Sequence, residues 1–329
     1  MATIKDVAKK AGVALSTASY ALNNSNKISE ATRKKVEEAA RALNYKKNGP
    51  ASDLKRTKTN TIALILSDLS GPFYSELIQG VQDVAMSNGY DLIACNSIGG
   101  NDSTAVKFLR EKRVDGAIIL AHNISDTIAL ESAKNGFPIV VLDRELEGEF
   151  IFHVEVDNIQ GAFSATEYLI QQGAEKLAFV SGPVNSFDNK RRLEGFEKAL
   201  EEYNISKKNK WKLSGDFTRE GGYRATNLLI AQQELPDGIF YANDEMAIGG
   251  MKAFEEKGIT IPNDILIIGF DDINLTEFTN PPLTTIRQPK YDAGALATHL
   301  IFQVLHGEEI KHHYSLPTSL IERNSAKLT

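Results

Sequence analysis

The sequence predicts two architectures in one chain: an all-α head, then an α/β body of two doubly wound parallel-sheet subdomains. Three observations predict this. Residues 1–46 carry apolar side chains at helical spacing, broken by turn residues. From residue 61 onward, short apolar runs alternate with amphipathic stretches. The charge also changes sign between the two parts. Residues 1–60 hold 13 Lys/Arg against 5 Asp/Glu, a net of +8, and the rest hold 24 against 38, a net of −14. The 329 residues suffice for two or three domains.

Composition excludes several classes. Apolar content of 42% and charged content of 24% are those of an ordinary globular protein. The single cysteine, Cys95, excludes an internal disulfide and fits a reducing compartment. No apolar run approaches the ~20 residues of a membrane span. Asp6, Lys9 and Lys10 stand where a signal peptide would need its apolar core. A cytoplasmic protein without a membrane partner is expected. The six histidines lack zinc-ligand spacing with the cysteine, and the His312–His313 pair reads as solvated. Neither GxSxG nor GxxxxGK[ST] occurs. No enzyme, metal or cofactor is expected.

In the head, Thr3 followed by Asp6 marks a helix start. Ile4, Val7, Ala8 and Ala11 share a face, and Gly12 ends the helix. Val13 enters the core. A second helix runs from about Ser16 to Asn23 with Ala18, Ala21 and Leu22 inward. Ser29 caps a third, in which Val36, Ala40 and Leu43 repeat while Arg33, Lys34 and Lys35 point away. Two short helices joined by a Gly-containing turn, plus a longer third, make a helix-turn-helix. Its second helix is uncharged and hydroxyl-rich, so its backbone can approach base edges, and the flanking Lys and Arg can meet phosphates. A basic head on an acidic body is the footprint of nucleic-acid binding.

The stretch "TIKDVAKKAGVALSTASYALNNSNKISEATRKKVEEAARALNY" resembles the head of the LacI/GalR family of bacterial transcription regulators, and the similarity continues over essentially the whole chain. The resemblance implies that Leu15, Ser16 and Tyr20 occupy the three base-reading positions. Thr17 and Ser19 match phosphate-contacting hydroxyls, and Thr3, Asn23 and Ser29 join the DNA-binding set. Two positions depart from the family. Ala14 replaces a Ser, removing an N-cap hydroxyl worth roughly 1 kcal/mol. Tyr20 stands where Arg is usual, and a bidentate Arg–guanine contact discriminates by ~1–3 kcal/mol. After the head, residues 47–60 read bare as a flexible linker. The family has a hinge helix there that wedges a Leu into the minor groove, and Ala51 and Leu54 match it, Leu54 as the wedge.

The body's apolar runs fall at 61–66, 90–95, 116–120, 137–143, 176–181, 238–242 and 264–270. Helical stretches fall at 73–88, 158–172, 189–203, 220–233, 244–257 and 291–306. These are too many strands for one sheet, so two subdomains with a cleft at the carboxyl ends of their strands are expected. The resemblance extends to the family's effector domain, whose fold is like that of periplasmic sugar-binding proteins. It implies three crossings of the chain between subdomains. The first subdomain would span about 61–157 plus 290–319, the second about 158–289 plus 320–329.

Strand ends rich in Asp, Asn, Arg and aromatics suit sugar recognition, because planar groups pair with vicinal hydroxyls and rings stack on C–H faces. By resemblance Arg192, Asp271 and Phe217 are the leading effector-binding residues, followed by Phe73, Tyr74, Asn123, Asp143, Asp244 and Gln288. Asp244 reads equally as a helix N-cap, and Asp157 as a structural residue at a crossover. Ser186 and Asp188 stand where a purine-binding relative has Arg and Thr, which favours a sugar or sugar phosphate over a purine. The expected protein is a repressor of pseudo-palindromic operator DNA, acting as a homodimer because the chain ends without a heptad tail. The alternatives are a catabolite-control regulator governed by a phosphocarrier protein and, from another class, a solute-binding protein for transport.

Overall fold

The computed structural model describes residues 2–23, 25, 27–45, 58–142 and 144–327. The chain divides into two compact units, Met1–Thr59 and Asn60–Thr329. The expected Ala51, Leu54 and Asp143 lie outside the described residues.

The first unit is three helices: α1 (Ile4–Ala11), α2 (Leu15–Leu22) and α3 (Glu30–Ala42). Thr3 and Asp6 form a reciprocal capping box at the start of α1, and Gly12 closes it at φ 65°, where a side chain would be strained. Ala14 gives α2 no side-chain cap, whereas Ser29 caps α3 through the Thr32 N–H. Val7, Ala8, Ala11, Ala18, Ala21, Val36, Ala39 and Ala40 form the core. These side chains are mostly small, so the helices pack closely. Arg33 differs from the expectation that it points away. It is half-buried, and its guanidinium donates to the Ser25 carbonyl at 3.0 Å, tying α3 to the segment after α2.

The second unit contains two six-stranded sheets. The first is built from β1 (Thr61–Leu66), β2 (Asp91–Asn96), β3 (Gly116–Leu120), β4 (Ile139–Val141), β5 (Ile151–Val156) and β11 (His313–Leu316). All pair in parallel, in the order β11-β5-β4-β3-β1-β2. The second holds β6 (Leu177–Ser181), β7 (Lys212–Ser214), β8 (Gly238–Tyr241), β9 (Leu266–Asp271), β10 (Thr284–Arg287) and β12 (Ser319–Ile321). Its order is β12-β10-β9-β8-β6-β7, and only β12 is antiparallel. The chain passes between the sheets at Asp157, at Gln288–Pro289 and between β11 and β12. Asp157 caps the helix that follows it by accepting from the Gln160 N–H at 2.9 Å.

Helices cover both faces of each sheet, so the central strands are apolar throughout, as parallel strands must be. Those helices are α4 (Tyr74–Ser87), α5 (Thr104–Arg110), α6 (Asp126–Ser132), α7 (Asn158–Gln171), α8 (Phe187–Glu202), α9 (Arg219–Ile230), α10 (Asp244–Glu256) and α11 (Lys290–Leu305). Helices α4 and α11 pack at Gly80 and Gly294. A Cβ at Gly80 would fall 2.1 Å from the Tyr291 carbonyl, and one at Gly294 2.3 Å from that of Leu77. The bare backbones therefore set the approach. Strand β5, edge strands β7 and β12, and β10 and β11 fall outside the expected runs. They are short, or alternate with polar residues, or are both.

Candidate functional site

In each sheet the strand order reverses once, between β1 and β3 in the first and between β6 and β8 in the second. Loops leaving a sheet at such a point diverge and open a crevice at the carboxyl ends of the strands. The two crevices contribute to one cavity of about 640 Å³ between the sheets. Ser67, Asp68 and His122 line it from the first sheet, with Phe73 and Tyr74 at the start of α4. Asp188 and Arg192 on α8 line it from the second, with Asp216 and Phe217 after β7, Asn243 after β8 and Asp271 at the end of β9. The Ser67 hydroxyl and His122 Nδ1, 3.1 Å apart, bridge the first reversal point.

Arg192 is the most connected of these side chains. It is 4% exposed. Its Nε donates to Asn158 Oδ1 at 2.8 Å and its Nη1 to the Ala242 carbonyl at 2.6 Å. Nη1 lies 3.5 Å from Asp271 Oδ1, and the guanidinium stands 3.9 Å from the centre of the Phe270 ring. The charge is thus held by a carboxylate, an amide, a carbonyl and a π face, leaving little rotamer freedom to lose on binding a ligand.

Asp271 adopts φ 121° and Asp272 φ 51°, both in the left-handed region that non-glycine residues avoid. Lys290, 2% exposed, holds this turn by donating Nζ to the Asp271 carbonyl at 2.6 Å and to that of Asp272 at 3.0 Å. Phe217, at φ 67°, is another such residue on the cavity wall. Asn243 Nδ2 donates to the Phe217 carbonyl at 3.1 Å. Strain concentrated at one wall and held by buried partners is a mark of a preorganised site.

Burial raises the carboxyl pKa of both Asp271 and the neighbouring Asp244. For Asp271, Arg192, Lys290 and Gln288 work against that rise, while Asp244 is pushed further because the Asp271 charge adds to burial. A carboxyl whose folded pKa is raised contributes stability that is complete below its unfolded pKa and is lost as pH rises through the folded value. The stability of Asp271→Asn relative to the parent is therefore expected to increase between pH 5 and pH 7, read as the difference in melting temperature. A flat or falling difference would refute the raised titration. Asp216 titrates the other way. Burial pushes its pKa up, but the Thr218 hydroxyl and N–H and the Arg224 guanidinium outweigh that and hold it low.

Of the expected effector residues, Phe73, Tyr74, Arg192, Phe217 and Asp271 come together around the cavity. Three do not reach it. Asn123 engages Ser97 with both ends of its amide, donating to the Ser97 carbonyl at 2.8 Å and accepting from its hydroxyl. Asp244 is fully buried and accepts from the Ile273 N–H at 3.0 Å and the Thr285 hydroxyl at 2.6 Å. Nor does it cap α10, since Asn243 does so through the Met246 N–H. Gln288 lies behind the wall and donates to Asp271 Oδ1 at 2.6 Å, fixing that carboxylate instead of facing the cavity. Asp68, Asp188, Asp216 and Glu245 line the cavity but were not among the expected effector residues.

On the head, Leu15 and Tyr20 are 45% and 42% exposed, and Ser16 is exposed beside Leu15. Thr17 and Ser19 are among the second helix's remaining hydroxyls, and Asn23 Nδ2 donates to Ser19 Oγ at 3.4 Å. Lys27 Nζ lies 5.6 Å from the centre of the Tyr20 ring. Thr3 and Ser29 have hydroxyls occupied by their caps: Thr3 donates to Asp6 at 2.8 Å, and Ser29 lies 2.9 Å from the Thr32 hydroxyl.

A three-helix head with an exposed hydroxylated second helix, and a two-sheet body around a ligand cavity, define a ligand-responsive DNA-binding regulator. Comparison with known proteins agrees. The description "Bacterial regulatory proteins, lacI family" matches residues 3–48, and "Periplasmic binding protein-like domain" matches residues 166–326. The HTH-type transcriptional repressor PurR of Photobacterium profundum is 36% identical over 331 residues, covering 99% of each chain. A lac repressor dimer bound to operator and the anti-inducer ONPF superposes with TM-score 0.82 at 28% identity, covering 99% of each chain. A LacI family regulator from Enterococcus faecium with bound ribose gives TM-score 0.74 at 32% identity, over 81% of this chain and 98% of that one. The chain belongs to the LacI family and is a DNA-binding transcriptional repressor with an effector-binding body. Among the described residues, no helix is long and apolar enough to cross a membrane.

Proposed function

We propose that the effector is a neutral polyhydroxylated molecule, a mono- or disaccharide, and that it sets the affinity of a homodimer for pseudo-palindromic duplex DNA. The observation that carries this is the charge of the cavity. Six carboxylates line it against two guanidiniums. Both guanidiniums are already matched, Arg192 as described and Arg219 by a two-point pair with Glu245 at 2.7 and 2.9 Å. A phosphate would meet net negative charge, with both lining cations already engaged, whereas hydroxyls can donate to each carboxylate. The volume lies within the roughly 300–1,000 Å³ of small-molecule sites. Phe73, Tyr74, Phe187 and Phe217 offer ring faces for the sugar's C–H side. Arg192 and Asp271 would take paired hydroxyls.

Within the head, Leu15, Ser16 and Tyr20 would meet base edges, and Thr17, Ser19 and Asn23 the backbone. Thr3 and Ser29 stand at helix starts, where backbone N–H groups suit a phosphate. Ala51 and Leu54 would enter the minor groove. The aromatic walls also suit a planar purine base, which is the second reading. Ser186 weighs against it, because its hydroxyl caps α8 at 3.2 Å from the Asn189 N.

The test is calorimetric titration of the full chain with neutral pentoses, hexoses and disaccharides, their phosphate esters, and purine bases. A neutral sugar is expected to bind about tenfold or more tightly than its phosphate ester, a difference of about 1.4 kcal/mol or more, and to change operator affinity. Tighter binding by a base would establish the purine reading. No response to any small molecule would leave a protein-borne signal as the controlling input.

A further inference from the structure

We propose that His153 and His313, with Glu155 orienting the His313 ring, form a binding site for a divalent transition-metal ion of the zinc or nickel type, where β5 meets the edge strand β11. The two histidines are 160 positions apart in the chain, and the parallel register sets them side by side. Their side chains therefore leave the same face of the sheet, and so does Glu155, two residues along β5.

The geometry is that of a donor set. The Nδ1 atoms of the two rings face each other at 3.3 Å. Two tetrahedral ligands bound at about 2.0–2.1 Å stand about 3.3 Å apart, so the nitrogens are already at ligand spacing. A Glu155 oxygen lies 3.0 Å from His313 Nε2. That contact places the ring proton on Nε2 and leaves Nδ1 as a lone pair, the tautomer a metal needs. One donor atom from each of the three residues lies within 4.8 Å of the others.

His153 is 4% exposed, so a bond made at its Nδ1 is shielded from water. The nearby Arg191 guanidinium is matched by Glu145 at 2.8 Å and does not exclude a cation. The His313 side chain is 52% exposed, which leaves an entry path and room for water to complete the coordination. Two imidazole nitrogens, one of them on a ring held by a carboxylate, suit zinc or nickel better than magnesium or calcium. The site is separate from the cavity yet adjoins its wall, because the His153 ring packs edge-on against Phe187 at 6.4 Å.

The experiment uses the full chain without an affinity tag. Zinc is titrated in competition with a chromophoric chelator, and cobalt is followed by visible absorption. One ion per chain is expected, with a cobalt band of low-symmetry nitrogen–oxygen coordination. His313→Ala, at an exposed position, is expected to weaken binding about tenfold or more and to abolish the band. Glu155→Gln, which keeps the shape, is expected to weaken it as well, so the result does not hang on one variant. His306→Ala is expected to leave it unchanged. Failure of the parent to bind zinc, or binding by both His313→Ala and Glu155→Gln at the parent's affinity, overturns the proposal.

Discussion

Arg192→Ala is expected to abolish effector binding and to destabilise the body by about 3–5 kcal/mol, on the order of 10 °C in melting temperature. The size follows from what remains after the guanidinium is removed. Asp271 loses the stronger of the two cations that favour its charge, Asn158 Oδ1 and the Ala242 carbonyl lose their donors, and the Phe270 ring loses its cation. Breaking a buried pair from one side leaves an uncompensated charge, which is far more damaging than losing an exposed one. The control is Arg219→Ala. Its pair with Glu245 is also two-pointed, but the Arg219 side chain is 45% exposed, so a loss under about 1 kcal/mol is expected. Differential scanning calorimetry of the two variants checks both. Equal losses would mean that Arg192 is not the keystone of the cavity wall.

Gly182→Ala is expected to weaken effector affinity by about tenfold to a hundredfold, or about 1.4–2.8 kcal/mol, with a much smaller effect on melting. A Cβ at Gly182 would stand 2.2 Å from Cε1 of Phe217. The backbone of Gly182 suits an alanine, since its φ is outside the left-handed region, so the substitution acts through the ring. Phe217 must swing away, and the ring face it presents to the cavity goes with it. Phe217→Ala should give a similar loss, and the double variant should add little, because both remove one wall. Calorimetric titration measures it. Unchanged affinity in Gly182→Ala would remove Phe217 from the binding surface.

The parts legible in the sequence were those encoded by neighbours. Thr3 and Asp6 are one helical turn apart, so their capping box is visible in a four-residue window. Gly12 stands where a left-handed residue must close α1. The run 61–66 is β1 to the residue, and 116–120 is β3, because a central parallel strand is apolar on both faces. Edge and short strands lack that signature. Strand β11 reads "HYSL" and is a strand only because β5 lies beside it. Asp244 shows the same limit. Its sequence neighbours suit a cap or a ligand equally, and the choice fell to Asn243 because Asp244 is taken by Ile273 and Thr285, 29 and 41 residues away.

The sequence by itself determined the two-part architecture and the three helices of the head with an uncapped second helix, and its family resemblance singled out Arg192, Asp271 and Phe217, which line the cavity. Helical period, caps and apolar runs are local, and a family pattern carries position from one chain to another. Only the tertiary structure decided which carboxylates face the cavity, which ones are buried behind it, and that His153 meets His313. Those outcomes depend on strand order and register, which bring together residues that no sequence window contains, and on burial, which turns the same side chain into a cavity-lining group at one strand end and a structural anchor at the next.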